Sequence, residues 1–182
     1  MSNSDLKVID LRSDTLSLPT SEMLSAMAGA ELGDDGRDAG GKGEDPTVNR
    51  LEAIAASLLG KEDALFVPSG TMGNMIALMV QAPAGSCIAV DKDAHIYRME
   101  KGNFIEGFHG FKPVFVPARR GFYDLDVLDK ILSCGHVSLV CIENTHNFAG
   151  GTVLSPEQTE AIADVCARHE VLLHLDGARV FH

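Results

Sequence analysis

The sequence predicts an α/β fold in which helices cover both faces of a mostly parallel sheet. Two observations predict it. Short, continuously apolar runs at 87–90, 113–117, 137–142 and 171–175 alternate with stretches whose apolar residues recur at helical spacing. Residues able to do chemistry follow the ends of such runs, where ligands bind in sheets of this kind.

Taken in order, an extended piece at residues 8–11 opens the chain, and a helix is expected over about 20–30. The Gly/Asp-rich stretch GDDGRDAGGKGED, residues 33–45, reads as a mobile surface loop or an active-site lid. Asp45-Pro46 is an N-cap followed by proline at the first helical position. It starts a helix whose apolar stripe is Val48, Leu51, Ile54, Ala55 and Leu58, and Gly60 ends it. Residues 64–67 are expected as a strand broken by Pro68. The helix after Ser69 carries Met72, Met75, Ile76 and Met79, a stripe that reads as core. Strand 87–90 leads to a helical stretch around 97–102, a strand at 113–117, a helix at 124–132 and a buried strand at 137–142. Ser155-Pro156-Glu157-Gln158 is a capping box opening a helix that reaches about His169. The last strand is 171–175, with Asp176 at its C-terminal end.

Composition narrows the function classes. At 182 residues, 45% hydrophobic and 5% aromatic, the chain can build a core and is not disordered. A formal net charge of -11 with no Lys/Arg run argues against nucleic acid, although local donors can still hold a small anion. No stretch approaches the roughly 20 apolar residues of a membrane span, and no signal or transit pattern opens the chain, so no membrane partner and a cytoplasmic location are expected. Cys87, Cys134, Cys141 and Cys166 form no C-x-x-C pair and read as reduced thiols, three of them in apolar runs.

Four groups stand at successive strand ends. Ser69-Gly70-Thr71 opens a helix, and its free amides and hydroxyls make either an anion site or a plain N-cap; no nucleotide P-loop pattern is present. His95 and His146 could stack on a ring or move protons, or be ordinary surface or core histidines. Asp176 faces the crevice, where an isolated carboxylate needs a cation, or else it pairs with Arg179. A protonated pyridine nitrogen about 3 Å away at an effective dielectric near 20 would attract it by roughly 5 kcal/mol, an upper bound. No compact zinc spacing such as H-E-x-x-H occurs, so no metal is expected.

Together these residues resemble the threonine aldolase family, within the β-eliminating lyase group of aspartate-aminotransferase-fold (fold type I) pyridoxal-phosphate (PLP) enzymes. The resemblance rests on LRSDT (11–15), GEDPTVN (43–49), FVPSGTMGN (66–74), HIY (95–97), ENTHN (143–147) and HLDGAR (174–179) as an ordered set. It implies PLP as cofactor and retro-aldol cleavage of threonine-like β-hydroxy amino acids to glycine and an aldehyde. Ser69, Gly70 and Thr71 would hold the phosphate, His95 and Ala178 would flank the ring, and Asp176 would pair with the ring nitrogen, with Arg179 close by. Ser13 and Arg179 would hold the substrate carboxylate. His146, with His95, would lie near the substrate hydroxyl.

The resemblance further implies a homo-oligomer, tetrameric in the family. Residues 1–45 would be an N-terminal segment with its mobile loop, and 46–182 the first part of an incomplete PLP-binding large domain, the small domain being absent. The loop from Gly36 to Gly43 is longer and richer in Gly and charge than the tyrosine-containing segment common in the family, which bears on substrate preference. The family's Schiff-base lysine lies beyond the Asp-Gly-Ala-Arg motif, whereas every lysine here precedes it. The 182-residue chain by itself is therefore expected to be inactive or nearly so. Alternative expectations are another PLP-dependent lyase or racemase, or a non-catalytic remnant or gene fragment.

Overall fold

A computed structural model describes residues 9–34, 36 and 40–181. They divide into two compact units, one up to Phe66 and one from Val67 onward.

In the first unit, Ser13 caps a 3-10 turn, Asp14–Leu16, and Thr20 caps helix α1, Ser21–Ala28. Helix α2, Pro46–Leu59, starts as its sequence dictates: Asp45 Oδ1 accepts from the Thr47 and Val48 amides, both at 2.9 Å. Its other oxygen takes the Gly33 amide at 3.1 Å, closing the base of the Gly/Asp-rich loop. Asp35, Arg37, Asp38 and Ala39 of that loop, and Val8 of the expected extended piece, lie outside the described residues. Gly60 ends α2 in the left-handed region, φ 62°, where a side chain would be strained.

One expected strand, residues 64–67, is absent here among the described residues. The Phe66 amide donates to Glu52 Oε1 of α2 at 2.8 Å, so a buried carboxylate takes the donor that a neighbouring strand would have needed. Residues 9–11, of the expected extended piece, form no ladder among the described residues.

In the second unit, helix α3, Gly70–Gln81, is capped by Ser69. Strand β1, Cys87–Val90, leads to the single-turn helix α4, His95–Arg98, and a 3-10 turn, Lys101–Phe104, where one helical stretch was expected. Strand β2 is Lys112–Phe115, and strands β3, Ala118–Arg119, and β4, Phe122–Tyr123, form a hairpin. Arg120 and Gly121 turn it with φ 55° and 84°, the positive pair that a two-residue hairpin loop needs. Helix α5 is Leu125–Ser133, strand β5 Val137–Glu143, helix α6 Pro156–Arg168 with its capping box, and strand β6 Leu172–Asp176.

The main sheet runs β2-β1-β5-β6, all parallel. Alternation along its central strands builds two cores. Ile88, Val90, Leu139 and Cys141 meet Leu78 of α3 and Ile96 of α4. Ala89, Val140 and Ile142 meet Leu128 and Leu132 of α5 and Ile162 and Val165 of α6. Each fully buried Leu or Ile contributes ~1.5–3 kcal/mol. The chain leaves β1 toward one side of the sheet and β5 toward the other, so a crevice opens between their carboxyl ends.

Tyr123 of the hairpin ties these two ends together. Its hydroxyl accepts from the Asp91 amide at 3.0 Å and donates to the Cys141 carbonyl, and burial holds its pKa far above the ordinary range. Tyr123→Phe leaves the Asp91 amide buried without that partner. Urea denaturation is expected to show a loss of about 1–3 kcal/mol; an unchanged midpoint would remove the hydroxyl from the account.

Candidate functional site

Asp176 is the last residue of β6, and its Oδ2 accepts from Asn74 Nδ2 at 3.1 Å. Asn74 lies on α3, four residues after Gly70, about 6 Å of axial rise. Strand end and helix start are thereby joined through one amide. The same Asn74 nitrogen donates to Glu100 Oε1 at 3.0 Å, and His174 Nε2 lies 3.0 Å from Asn74 Oδ1. Because Oδ1 can only accept, His174 carries its proton on Nε2, and the Asn74 amino group is turned toward both carboxylates. Burial lowers the His174 pKa, which favours this neutral form, with Asp176 acting in the opposite direction.

His95 joins the cluster from α4. Its Nδ1 stands 2.9 Å from Glu100 Oε1, and side-chain atoms of His95, Glu100 and Asp176 lie within 4.8 Å of one another. The ring is 38% exposed while Glu100 is 3% exposed. α4 has no capping side chain of its own. Glu143, the last residue of β5, supplies the cap from across the crevice: Oε2 accepts from the His95 amide at 2.6 Å and Oε1 from the Asn147 amide at 2.7 Å.

His146 sits on the loop after β5. The Asn144 side chain shapes this loop by pairing with both backbone groups of Leu154, at 3.1 Å each. The His146 ring is buried, with Nε2 3.1 Å from Asp91 Oδ2 and Nδ1 accepting from the Ala149 amide at 3.2 Å. Asp91 raises its pKa, chiefly through that hydrogen bond, with burial opposing. Protonating Nδ1 would set it against the Ala149 amide, so the arrangement described is the neutral ring with Nε2–H. The Asp91 carboxyl is in turn lowered by His146, although burial pushes it the other way. Gly121 of the hairpin lies against this ring, and a Cβ there would come within 3.0 Å of His146 Cβ.

The remaining expected residues are placed as follows. Ser69, Gly70 and Thr71 form the exposed start of α3, where Ser69 Oγ accepts from the Met72 amide at 3.2 Å. The first helical amides have no intrahelical acceptor, and a Cβ on Gly70 would meet nothing within 4 Å. Ala178 and Arg179 occupy the centre of a tight turn closed by the Val180 amide on the Gly177 carbonyl, 2.9 Å. Ser13, in the first unit, is exposed and bonds Thr15. Asn74, Glu100, Glu143, Asp91 and His174 complete the constellation.

The donor set fits PLP. Asp176 Oδ1 and His95 Nε2 have no partner among the described residues, so a carboxylate with an open oxygen stands beside a half-exposed imidazole ring. Four carboxylates (Asp91, Glu100, Glu143, Asp176) around three imidazoles (His95, His146, His174) favour a cationic group, as a protonated pyridine is. The open start of α3 suits an anion.

A model of the family described as "Beta-eliminating lyase" matches residues 10–182. The chain is 41% identical to low-specificity L-threonine aldolase 1 of Arabidopsis thaliana, over 97% of this chain and 50% of that protein. It is 39% identical to the low specificity L-threonine aldolase of Escherichia coli K12, over 96% of this chain and 52% of that one. Among solved structures, the threonine aldolase of Leishmania major superposes with a TM-score of 0.59 at 28% identity, covering 70% of this chain and 38% of that one. The chain spans about half the length of the curated relatives it matches.

Proposed function

Since the chain belongs to the beta-eliminating lyase family, with the fold of the type I PLP enzymes, we propose that it carries the cofactor site of an enzyme cleaving threonine-like β-hydroxy amino acids to glycine and an aldehyde. The observation that supports this reading is the Asn74 bridge: a residue of the first turns of α3 donates to the Asp176 carboxylate at 3.1 Å.

In this reading the amides of Gly70 and Thr71, with the Ser69 hydroxyl, hold the phosphate of PLP. Asp176 holds the ring nitrogen in its protonated form, and Asn74 keeps that carboxylate in place. His95 and Ala178 flank the ring. When bound, PLP supplies an electron sink for chemistry at the amino acid Cα. Arg179 binds the substrate carboxylate, a role the family resemblance also gives to Ser13. His95 takes the hydroxyl proton at Nε2, the ring nitrogen left open. His146 stands by as the second histidine near the hydroxyl; moving a proton there would require it to release Asp91 or Ala149. Cytoplasmic location and homo-oligomeric assembly belong to the same proposal, and light scattering of the encoded protein reads the second.

Gly70→Ala tests the phosphate end without touching the fold, because a methyl group meets nothing there and points toward the helix N-terminus, into the ligand's place. Unfolding free energy is expected to change by less than about 1 kcal/mol. PLP affinity, read by absorbance titration, is expected to fall roughly 10- to 100-fold, as the methyl group displaces the phosphate from about one charge-assisted hydrogen bond. Unaltered affinity would move the phosphate elsewhere.

A further inference from the structure

Resting on that reading, we propose that Glu100 is a positioning residue: it holds His95 in the Nδ1–H form, so that Nε2 is the proton acceptor presented to the substrate hydroxyl.

Glu100 is a buried acid with no Lys or Arg partner among the described residues. Its Oε1 takes two bonds, from His95 Nδ1 at 2.9 Å and from Asn74 Nδ2 at 3.0 Å, while its Oε2 is buried with none. Burying a carboxylate that is only half satisfied is unfavourable, and stability alone gives no reason to keep one. Geometry does. An ionised carboxylate only accepts, so the hydrogen between the two groups belongs to Nδ1. A neutral imidazole has one hydrogen, which leaves Nε2 with a lone pair, and no described residue occupies it. His174 fixes Asn74, Asn74 fixes the Glu100 oxygen, and Glu143 fixes the His95 backbone, so the ring has little freedom to turn.

The step this serves is balanced. The β-hydroxyl proton passes to Nε2, and the O–H electron pair becomes the second C–O bond of the aldehyde. The Cα–Cβ bond breaks and its pair stays on Cα. The same proton then returns to Cα, giving glycine with no outside acid or base consumed.

The test reads the ring nitrogens of His95 by 15N NMR in labelled protein without cofactor or substrate, the resonances being assigned by their loss in His95→Asn. The unsubstituted protein is expected to show protonated Nδ1 and bare Nε2, the reverse of the form favoured by histidine in water. Glu100→Gln is expected to shift the ring toward the water-like form and, in activity assays of the encoded protein, to lower kcat roughly 100-fold, with KM and PLP affinity within about threefold. A water-like form in the unsubstituted protein, or an unchanged kcat in Glu100→Gln, overturns the proposal. If the variant does not fold, the unsubstituted spectrum decides. Because that spectrum needs no PLP, a wrong tautomer sinks the role of Glu100 alone, and failure to bind PLP with the right tautomer sinks the functional reading alone.

Discussion

Asp176→Asn is expected to lower threonine cleavage by the encoded protein by about three orders of magnitude while the fold survives. The substitution keeps the shape of the side chain, and its carbonyl oxygen can still accept from Asn74, as Oδ2 does now at 3.1 Å. Only the charge is lost. Opposite unit charges about 3 Å apart at an effective dielectric near 20 attract by roughly 5 kcal/mol, a ceiling. At ~1.36 kcal/mol per decade, the ceiling corresponds to a factor of between 10³ and 10⁴. PLP affinity should fall far less, because the start of α3 is proposed to hold the other end of the molecule. Glycine release under saturating PLP measures the first quantity and absorbance titration the second. A kcat within tenfold of the unsubstituted value would mean that the carboxylate does not touch the ring nitrogen.

His95→Asn is the second large effect. The Asn amino group can take the place of Nδ1–H and donate to Glu100 Oε1, preserving the bond now 2.9 Å long, while Nε2 disappears. If Nε2 is the base, kcat falls about 10²- to 10⁴-fold. His146→Asn provides the contrast. That ring is buried with both nitrogens engaged and Gly121 against it, so its loss uncouples Asp91 and the hairpin. Its main expected effect is on unfolding free energy, about 1–3 kcal/mol. The opposite pattern, with His146 governing kcat and His95 governing stability, would exchange the two roles.

The sheet was legible because its strands are continuously apolar and their caps are local: Asp45, Ser69, Asp124 and Ser155 each bond an amide two or three residues ahead. Asp176, His95 and His146 were legible as residues beyond strand ends. Residues 64–67 misled because an apolar run does not reveal where its amides go, and here one goes to buried Glu52. The hairpin carries a short signal of its own, Arg-Gly between Ala-Arg and Phe-Tyr, but its two-residue strands are too brief for an apolar run to mark them. Asn74 and Glu100 are the more instructive omissions. Asn74 meets Asp176 across 102 residues and Glu100 across 26, distances at which no local pattern operates. A signal did exist: Asn74 is a polar residue set among Met72, Met75 and Ile76 on a helix otherwise read as core.

The measurement that most directly tests the account is 15N NMR of PLP enriched at its ring nitrogen and bound to the encoded protein. The spectrum should show a protonated ring nitrogen at a pH where free PLP has lost that proton, and Asp176→Asn should abolish the difference. An unprotonated nitrogen in the unsubstituted protein, identical to that of the free cofactor, would contradict the pairing of Asp176 with the ring.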